Sequence, residues 1–178
     1  MAMAISVPLY TVDDLEKFPD DGNRYELLDG VLLVTPQAAA VHQVVVSRIQ
    51  VKLANAFQSL AHVVGPGAVV RMPRTQLQPD ILVYPVRFSP MTDWHKITEH
   101  WLAVEVLSRS SRVYDREFKR DAYFALGLQQ VWLVDWRDEL VEVCDGKGKS
   151  RIVRDIIRWR LAGTEVVIDL HEVFAGLG

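Results

Sequence analysis

Apolar and polar positions along the chain predict an ordered series of strands and helices. Two short strand-like runs, residues 24–28 and 31–35, flank Asp29-Gly30, a dipeptide typical of a tight β-hairpin turn. Apolar residues spaced three or four apart predict a helix from about residue 40 to 60. Ser110 or Ser111 can cap a second helix, which Gly127 ends. Further strands are expected near residues 63–72, 80–84, 101–107, 131–135 and 140–144.

The order of these elements indicates the fold class. A hairpin, a helix, three strands, a second helix and more strands are typical of an α/β (α+β) domain around a mixed sheet. The length of 178 residues suits a single domain spanning residues 1–178, and 49% hydrophobic with 24% charged residues is an ordinary globular balance.

Composition also limits location and partners. Cys144 is the only cysteine, which excludes an internal disulfide and fits a reducing cytosol. Residues 1–8 lack the features of a signal peptide, and no apolar run approaches the ~20 residues that span a bilayer. We therefore expect a cytoplasmic protein with no membrane partner. Because the net charge is −3, nucleic-acid binding would need local basic patches.

Two carboxylates stand inside apolar runs. Asp80 opens the run 79–84, and Glu105 interrupts the run 101–107. An ionised carboxylate loses much solvation in a strand of this kind unless something binds it. A divalent metal is the usual partner, so these residues predict a metal site.

Lys119 is the third candidate. On a helical wheel at ~100° per residue, Asp115 and Lys119 lie on the flank of the inward face, away from the other charges of the helix. The alternative is an i,i+4 ion pair at the core edge, worth only ~0.3–0.5 kcal/mol. The short connection 108–111 places Lys119 close to Glu105. A lysine there would supply positive charge to phosphodiester hydrolysis.

His42 and Glu26 each leave two interpretations open. His42 faces inward in the first turns of the first helix, either as a core histidine or as a neutral hydrogen-bonding partner at the site. Glu26 shares one face of its strand with Arg24; the two are a solvated pair if this face of the hairpin is exposed, and otherwise Glu26 is a candidate for the site.

The ordered set of segments resembles the Uma-type restriction endonuclease family, within the PD-(D/E)XK nuclease-like superfamily. The matching segments are the run 23–30, His42 opening a helix, the run 79–83, the run 104–108, Asp115-x-x-x-Lys119 with Tyr123, and Gly127 followed by the run 131–135. The resemblance implies a restriction-endonuclease-like αβββαβ core with a mixed central sheet, preceded by the N-terminal β-hairpin. In the standard motif the lysine follows the acidic residue by two positions, but position 107 is Leu, so Lys119 resembles a migrated replacement.

The resemblance also implies roles. Asp80 and Glu105 would hold Mg²⁺ (or Mn²⁺), with the Val106 backbone carbonyl as a further ligand. Lys119 would orient the attacking water or stabilise the transition state, and Glu26 would assist. Asp115 would hold Lys119. Tyr123 either orients these groups or packs at the core edge. The expected activity is endonucleolytic hydrolysis of nucleic acid, DNA foremost.

Several arginines near the site are expected to contact nucleic acid if they are not merely solvated at the surface. They are Arg71, Arg74, Arg109 and Arg112; a second cluster comprises Arg151, Arg154, Arg158 and Arg160 with Trp159. A homodimer is also expected, since two-fold symmetry suits duplex DNA.

Three other functions stay open. The first is a catalytically silent nucleic-acid-binding or regulatory protein. The second is an assembly domain using the apolar stretch 166–170, which could instead cover a sheet. The third is metal-free hydrolysis centred on His42. The sequence lacks a Gly-x-Ser-x-Gly nucleophile motif, a Walker-type phosphate loop and paired zinc ligands.

Overall fold

A six-stranded mixed sheet forms the centre of the protein. The structure is a computed structural model that describes residues 8–108, 118–146 and 148–177. Its α-helices are α1 (Ala40–Phe57), α2 (Arg120–Ala125) and α3 (Leu170–Phe174), and 3₁₀ helices cover Val12–Lys17 and Trp94–Lys96. The strands are β1 (Arg24–Leu28), β2 (Val31–Thr35), β3 (Ala61–Val64), β4 (Val69–Arg71), β5 (Thr75–Leu77), β6 (Ile81–Pro85), β7 (Leu102–Val106), β8 (Gln130–Asp135), β9 (Leu140–Asp145), β10 (Ser150–Val153), β11 (Ile156–Leu161) and β12 (Thr164–Asp169).

The strand order of the large sheet matches the expected nuclease-like core. It runs β10-β9-β8-β7-β6-β3, and β7 and β8 are parallel whereas the other neighbours are antiparallel. Parallel neighbours need a crossover, and here α2 lies in the connection. The series α1, β3, β6, β7, α2, β8 is the predicted αβββαβ order, so the predicted mixed α/β fold is confirmed.

The N-terminal hairpin forms where the sequence predicts it. Residues 24–28 pair with 31–35 in antiparallel register, and the turn residues Asp29 (φ 50°) and Gly30 (φ 87°) both have positive φ, as a type I′ turn requires. The hairpin does not stand alone, because β5 and β4 extend it to a second sheet in the order β2-β1-β5-β4.

Two apolar clusters cover the two faces of the large sheet. α1, the β11–β12 hairpin and α3 pack on one face, against residues such as Val104 and Val106. Tyr123 of α2 and residues of the second sheet pack on the other face, against Ala103 and Leu107. The C-terminal apolar stretch therefore covers the sheet of its own chain. Glu105 alternates with Val104 and Val106, so it lies on the α2 face.

The predicted strand 63–72 is wrong in one respect, since it is two strands in two sheets. β3 ends at Val64 and β4 begins at Val69, and Gly65-Pro66-Gly67 turns the chain between them. α1 also ends at Phe57, three residues before the predicted end. Within the described residues, no helix is long and apolar enough to cross a membrane.

Gly67 packs against the strand that carries the site. A methyl group on Gly67 would lie 2.5 Å from Leu82 Cβ, a distance that forces β6 or the turn to shift. We expect Gly67→Ala to lower the free energy of unfolding by about 1–3 kcal/mol, measured by urea denaturation. The matched control is Gly146→Ala, whose added methyl would meet its nearest atom at 3.5 Å. Equal stabilities of the two variants would contradict this packing.

His100 gives a prediction for acid stability. Burial lowers the pKa of His100 to about 4, against the opposing charge of Glu99. The unfolded histidine titrates near 6.5, so between about pH 6.5 and 4 the unfolded chain binds a proton that the folded chain does not. Stability should therefore fall as pH drops through this range, by up to about 1.4 kcal/mol per pH unit. In urea denaturation, the free energy of unfolding of His100→Gln should fall less between about pH 6.5 and 4 than that of wild type. The control His171→Gln, at an exposed histidine, should lose as much stability as wild type.

Candidate active site

Asp80 and Glu105 come together at the ends of two neighbouring strands. Ile81, next to Asp80, pairs with Val104, next to Glu105, in the antiparallel register of β6 and β7. Asp80 accepts a hydrogen bond from the Val106 backbone N–H, so its carboxylate lies at the end of β7 that carries Glu105. Both side chains are buried, with 7% exposure for Asp80 and 1% for Glu105.

Asp80 binds three groups of its own chain. Its Oδ1 accepts a hydrogen bond from Arg24 Nη1 at 2.9 Å. Its Oδ2 accepts one from the Val106 backbone N–H at 2.8 Å and lies 3.1 Å from His42 Nε2. The solvation that Asp80 loses on burial is thus replaced by donors from β1, β7 and α1.

These donors keep Asp80 ionised. Burial alone would raise the pKa of its carboxyl, but the hydrogen bond and charge of His42, the charge of Arg24 and the Val106 N–H together outweigh it. The net effect is a pKa below the ordinary value. An ionised carboxylate is the form that can ligate a cation.

Lys119 joins two buried carboxylates from different sheets. Its Nζ donates to Glu26 Oε2 at 2.8 Å and lies 3.4 Å from Glu105 Oε1. Lys119 is 2% exposed and has helical backbone angles directly before α2. The predicted closeness of Lys119 to Glu105 is observed, and Lys119 points fully inward.

Glu26 belongs to this network and not to a solvated surface pair. It is fully buried, and its Oε1 accepts a hydrogen bond from the Gln78 backbone N–H at 2.7 Å. β5 pairs with β1, and residues of the second sheet pack in one apolar cluster with Leu82 and Tyr84 of β6. The face of the hairpin that carries Glu26 is therefore covered, although it would be exposed in an isolated hairpin. Arg24, its neighbour on that face, lies mainly against Asp80; its Nε is 3.6 Å from Glu26 Oε2, too long for a hydrogen bond.

Tyr123 holds Glu105 from α2. Its hydroxyl donates to Glu105 Oε1 at 2.6 Å, and its side chain is fully buried. Burial and the neighbouring charges of Glu105 and Glu26 raise the pKa of Tyr123 well above its ordinary value, so the hydroxyl keeps its proton and remains a donor. The tyrosine therefore orients Glu105 as well as packing in the core.

A cavity of about 570 Å³ opens beside Asp80. Its lining includes Arg24, His42, Asp80, Trp136 and Arg137, together with Gln43, Ser47 and Gln50 of α1. Glu26, Glu105, Lys119 and Tyr123 do not line it; they lie behind Asp80 in the protein interior. Asp80 and the backbone of Val106 are thus the parts of the network that a ligand in the cavity would meet first.

Restriction-endonuclease-like families typically use divalent metals, and the carboxylate oxygens of this site are chemically suited to bind such a cation. Asp80 and Glu105 supply carboxylate oxygens at the ends of two adjacent strands, and hard cations prefer oxygen ligands. The described residues contain no close group of three His, Cys, Asp or Glu side chains, and both Asp80 oxygens already accept donors. Metal binding would therefore require the Arg24 or His42 contact to open.

Several predicted residues lie elsewhere or outside the described part of the chain. Asp115, Arg109 and Arg112 lie outside the described residues. Arg71 and Arg74 are exposed but do not line the cavity; Arg71 lies 3.5 Å from the Ala125 carbonyl and 3.6 Å from Asp29.

Two residues of the site were not predicted to act there. Arg24 is separated by 56 residues from Asp80, and nothing in local spacing connects them. Arg137 follows β8, next to the predicted strand end at residue 135, and lines the cavity. The signal available in the sequence was that Arg137 follows the buried strand β8 closely, because loops at strand ends commonly carry binding residues.

Removing the buried lysine charge should be costly. Lys119→Met leaves Glu26 and Glu105 without this cation in the interior, so we expect the free energy of unfolding to fall by about 3–5 kcal/mol, measured by urea denaturation. The matched control is Lys52→Met, because Lys52 pairs with Glu172 at the surface and should lose no more than about 1 kcal/mol. Similar losses in both variants would contradict the interior network.

Comparison with known proteins agrees with the geometry. No curated protein sequence matches the chain. A crystal structure of "a putative nuclease belonging to DUF820" from Anabaena variabilis has the same fold, with a TM-score of 0.75, 17% sequence identity and coverage of 93% of this chain and 97% of that chain. The family described as "Uma2: Putative restriction endonuclease" matches residues 12–175. The chain therefore belongs to the Uma2 family, in agreement with the motifs in its sequence.

Proposed function

We propose that the protein is a metal-dependent endonuclease that hydrolyses phosphodiester bonds of nucleic acid, DNA foremost. One observation carries this proposal: Asp80 accepts a hydrogen bond from the Val106 N–H, next to Glu105 in β7, and Lys119 Nζ lies 3.4 Å from Glu105 Oε1. Two carboxylates and a lysine are the groups that phosphodiester hydrolysis needs. Family membership supports a nuclease-like activity.

The carboxylates of Asp80 and Glu105 would hold Mg²⁺ or Mn²⁺, with the Val106 carbonyl as a further oxygen ligand. When bound, the cation would polarise a phosphodiester oxygen and lower the pKa of a water molecule. Arg24 and His42 would then release an oxygen of Asp80. Arg24 lines the cavity, so its guanidinium is placed to meet a substrate phosphate.

Lys119 would place positive charge beside the reacting phosphate and orient the attacking water. Its ammonium group is held by Glu26 at 2.8 Å, so Glu26 acts as a positioning residue as well as a candidate for further assistance at the metal. Asp115, four residues before Lys119 in the sequence, is expected to hold Lys119 in place. Tyr123 orients Glu105 by donating its hydroxyl proton to Oε1 of that carboxylate.

The second candidate is a nuclease-like protein that binds nucleic acid, or regulates or assembles with a partner, without cutting. The contacts of Asp80 favour it, because Arg24, His42 and the Val106 N–H occupy both carboxylate oxygens. An arginine that stays on Asp80 would take the place of a metal.

The remaining expectations stay predictions. They are a homodimer, a cytoplasmic location, and nucleic-acid contacts by Arg71, Arg74, Arg109 and Arg112. The exposure of Arg71 and Arg74 is compatible with such contacts, although they lie outside the cavity lining.

Cleavage of supercoiled plasmid tests the proposed activity. Wild type should nick DNA with Mg²⁺ or Mn²⁺ and not with EDTA. Asp80→Asn and Lys119→Gln should each lower the rate by at least about 100-fold, because Asp80 would hold the cation and Lys119 would place positive charge beside the reacting phosphate. Glu172→Gln is the control, since the exposed Glu172 pairs with Lys52 and does not line the cavity.

Circular dichroism at the assay temperature should show that every variant is folded. Metal-independent cleavage, or cleavage that survives both site substitutions, would contradict the mechanism. A folded wild type that cuts neither plasmid nor single-stranded DNA or RNA with any of these metals would favour the non-cutting candidate.

A further inference from the structure

We propose that the cavity beside Asp80 binds a single strand of nucleic acid, with a backbone phosphate at Arg137 and an unpaired base against a polar stripe of α1. The polar stripe consists of Gln43, Ser47 and Gln50. The inference rests on the proposed function and deepens it, because it names single-stranded or unpaired nucleic acid as the substrate class.

The depth of Asp80 is the first argument. Asp80 is only 7% exposed, and it is reached through a cavity of about 570 Å³. This volume lies within the range of sites for compact ligands, roughly 300–1,000 Å³. A base stacked and paired in a duplex would have to leave the stack to enter, at a cost of a few kcal/mol, whereas an unpaired base would not.

The polar stripe is the second argument. Gln43, Ser47 and Gln50 are spaced i, i+4 and i+7, so they lie within about 60° of one another on the helix and all three line the cavity. Gln43 and Ser47 are exposed, and the Nε2 of Gln50 donates a long hydrogen bond, 3.4 Å, to the Val63 carbonyl. Neutral amides both donate and accept hydrogen bonds, as base edges do, and they add no charge for a phosphate.

Arg137 is the third argument. Its guanidinium carbon lies 4.3 Å from the centre of the Trp136 ring, and Trp136 is itself half-buried against the core cluster of α1. This cation–π contact holds an exposed arginine at the cavity wall. An arginine fixed in this way is suited to bind a phosphate with little loss of side-chain entropy.

The charges that line the cavity and the neighbouring groove also favour the side of the cavity that carries Arg137. Among the residues that the structure describes, Asp80 is the only acidic one that lines the cavity. A neighbouring groove of about 1,090 Å³ shares Arg24 with it but is lined by four acidic residues, Asp13, Glu16, Asp20 and Asp93. These carboxylates would repel a phosphate backbone, so a strand that reaches Asp80 should pass the Arg137 side.

Binding without cleavage tests the inference. Fluorescence anisotropy would measure the dissociation constants of labelled 12-nucleotide dA and dT strands and of their duplex, in EDTA, at several salt concentrations. We expect the single strands to bind at least about 10-fold more tightly than the duplex. Arg137→Gln should weaken single-strand binding by roughly 10-fold and reduce the slope of log affinity against log salt by about 0.7.

The chain offers a matched arginine control. Arg87 stacks on Phe88 at 5.0 Å, much as Arg137 stacks on Trp136, but it pairs with Glu99 and lines neither the cavity nor the neighbouring groove. Arg87→Gln should therefore leave affinity and salt slope unchanged. Gln43→Leu should change the preference between the dA and dT strands and leave the salt slope unchanged, because it alters a base contact.

Three results would overturn the inference: no single-strand binding, duplex binding as tight as single-strand binding, or equal behaviour of Arg137→Gln and Arg87→Gln. The plasmid assay separates these from failure of the proposed function. Metal-dependent nicking without single-strand binding would support the proposed nuclease activity and contradict the inference that single strands are its substrate. Single-strand binding lost in Arg137→Gln, without any cleavage, would leave the binding site and remove the nuclease.

Discussion

The ion pair of Lys119 with Glu26 and Glu105 is the interaction on which the rest of the site depends. The three side chains come from β1, β7 and the helical segment before α2, and all are at most 2% exposed. A buried charge is tolerated only when it is paired and hydrogen-bonded, so each of the three requires the others. The ion pair consequently fixes the second sheet against the large sheet, and it fixes where the lysine ammonium lies relative to the strand ends.

A second group of charges forms the boundary between this interior and the cavity. Asp80 is held by Arg24, His42 and the Val106 N–H, and the pKa of its carboxyl is lowered by them against the effect of burial. The same contacts that stabilise the ionised carboxylate also compete with any cation that enters from the cavity. The proposed catalysis would therefore depend on how readily Arg24 and His42 release an oxygen of Asp80.

Particular residues show what the sequence could predict. Asp29-Gly30 predicts the hairpin and its register, because few residues other than Asn, Asp and Gly tolerate the positive φ values of this turn. Asp80 and Glu105 stand out because carboxylates in apolar strands need partners, and Lys119 because the strand-to-helix connection is short. These are local arguments, and each of them is reflected in the observed contacts.

The rest depends on long-range pairing. β4 and β5 have only three residues each, too short for alternation to identify, and the turn at residues 65–67 sends β4 to another sheet. Glu26 was ambiguous because a hairpin pattern does not tell which face will be covered, and the cover comes from β5 and β6. Arg24 was assigned to Glu26 by proximity in sequence, whereas its closest carboxylate is Asp80, 56 residues away.

Anomalous diffraction from crystals soaked in Mn²⁺ would show whether Asp80 and Glu105 hold a cation, since it locates the cation without requiring the right substrate. We predict a peak bound by the carboxylates of Asp80 and Glu105, with the Arg24 guanidinium moved off Asp80 Oδ1. Crystals that show no peak between these carboxylates, with Arg24 still bonded to Asp80, would contradict it.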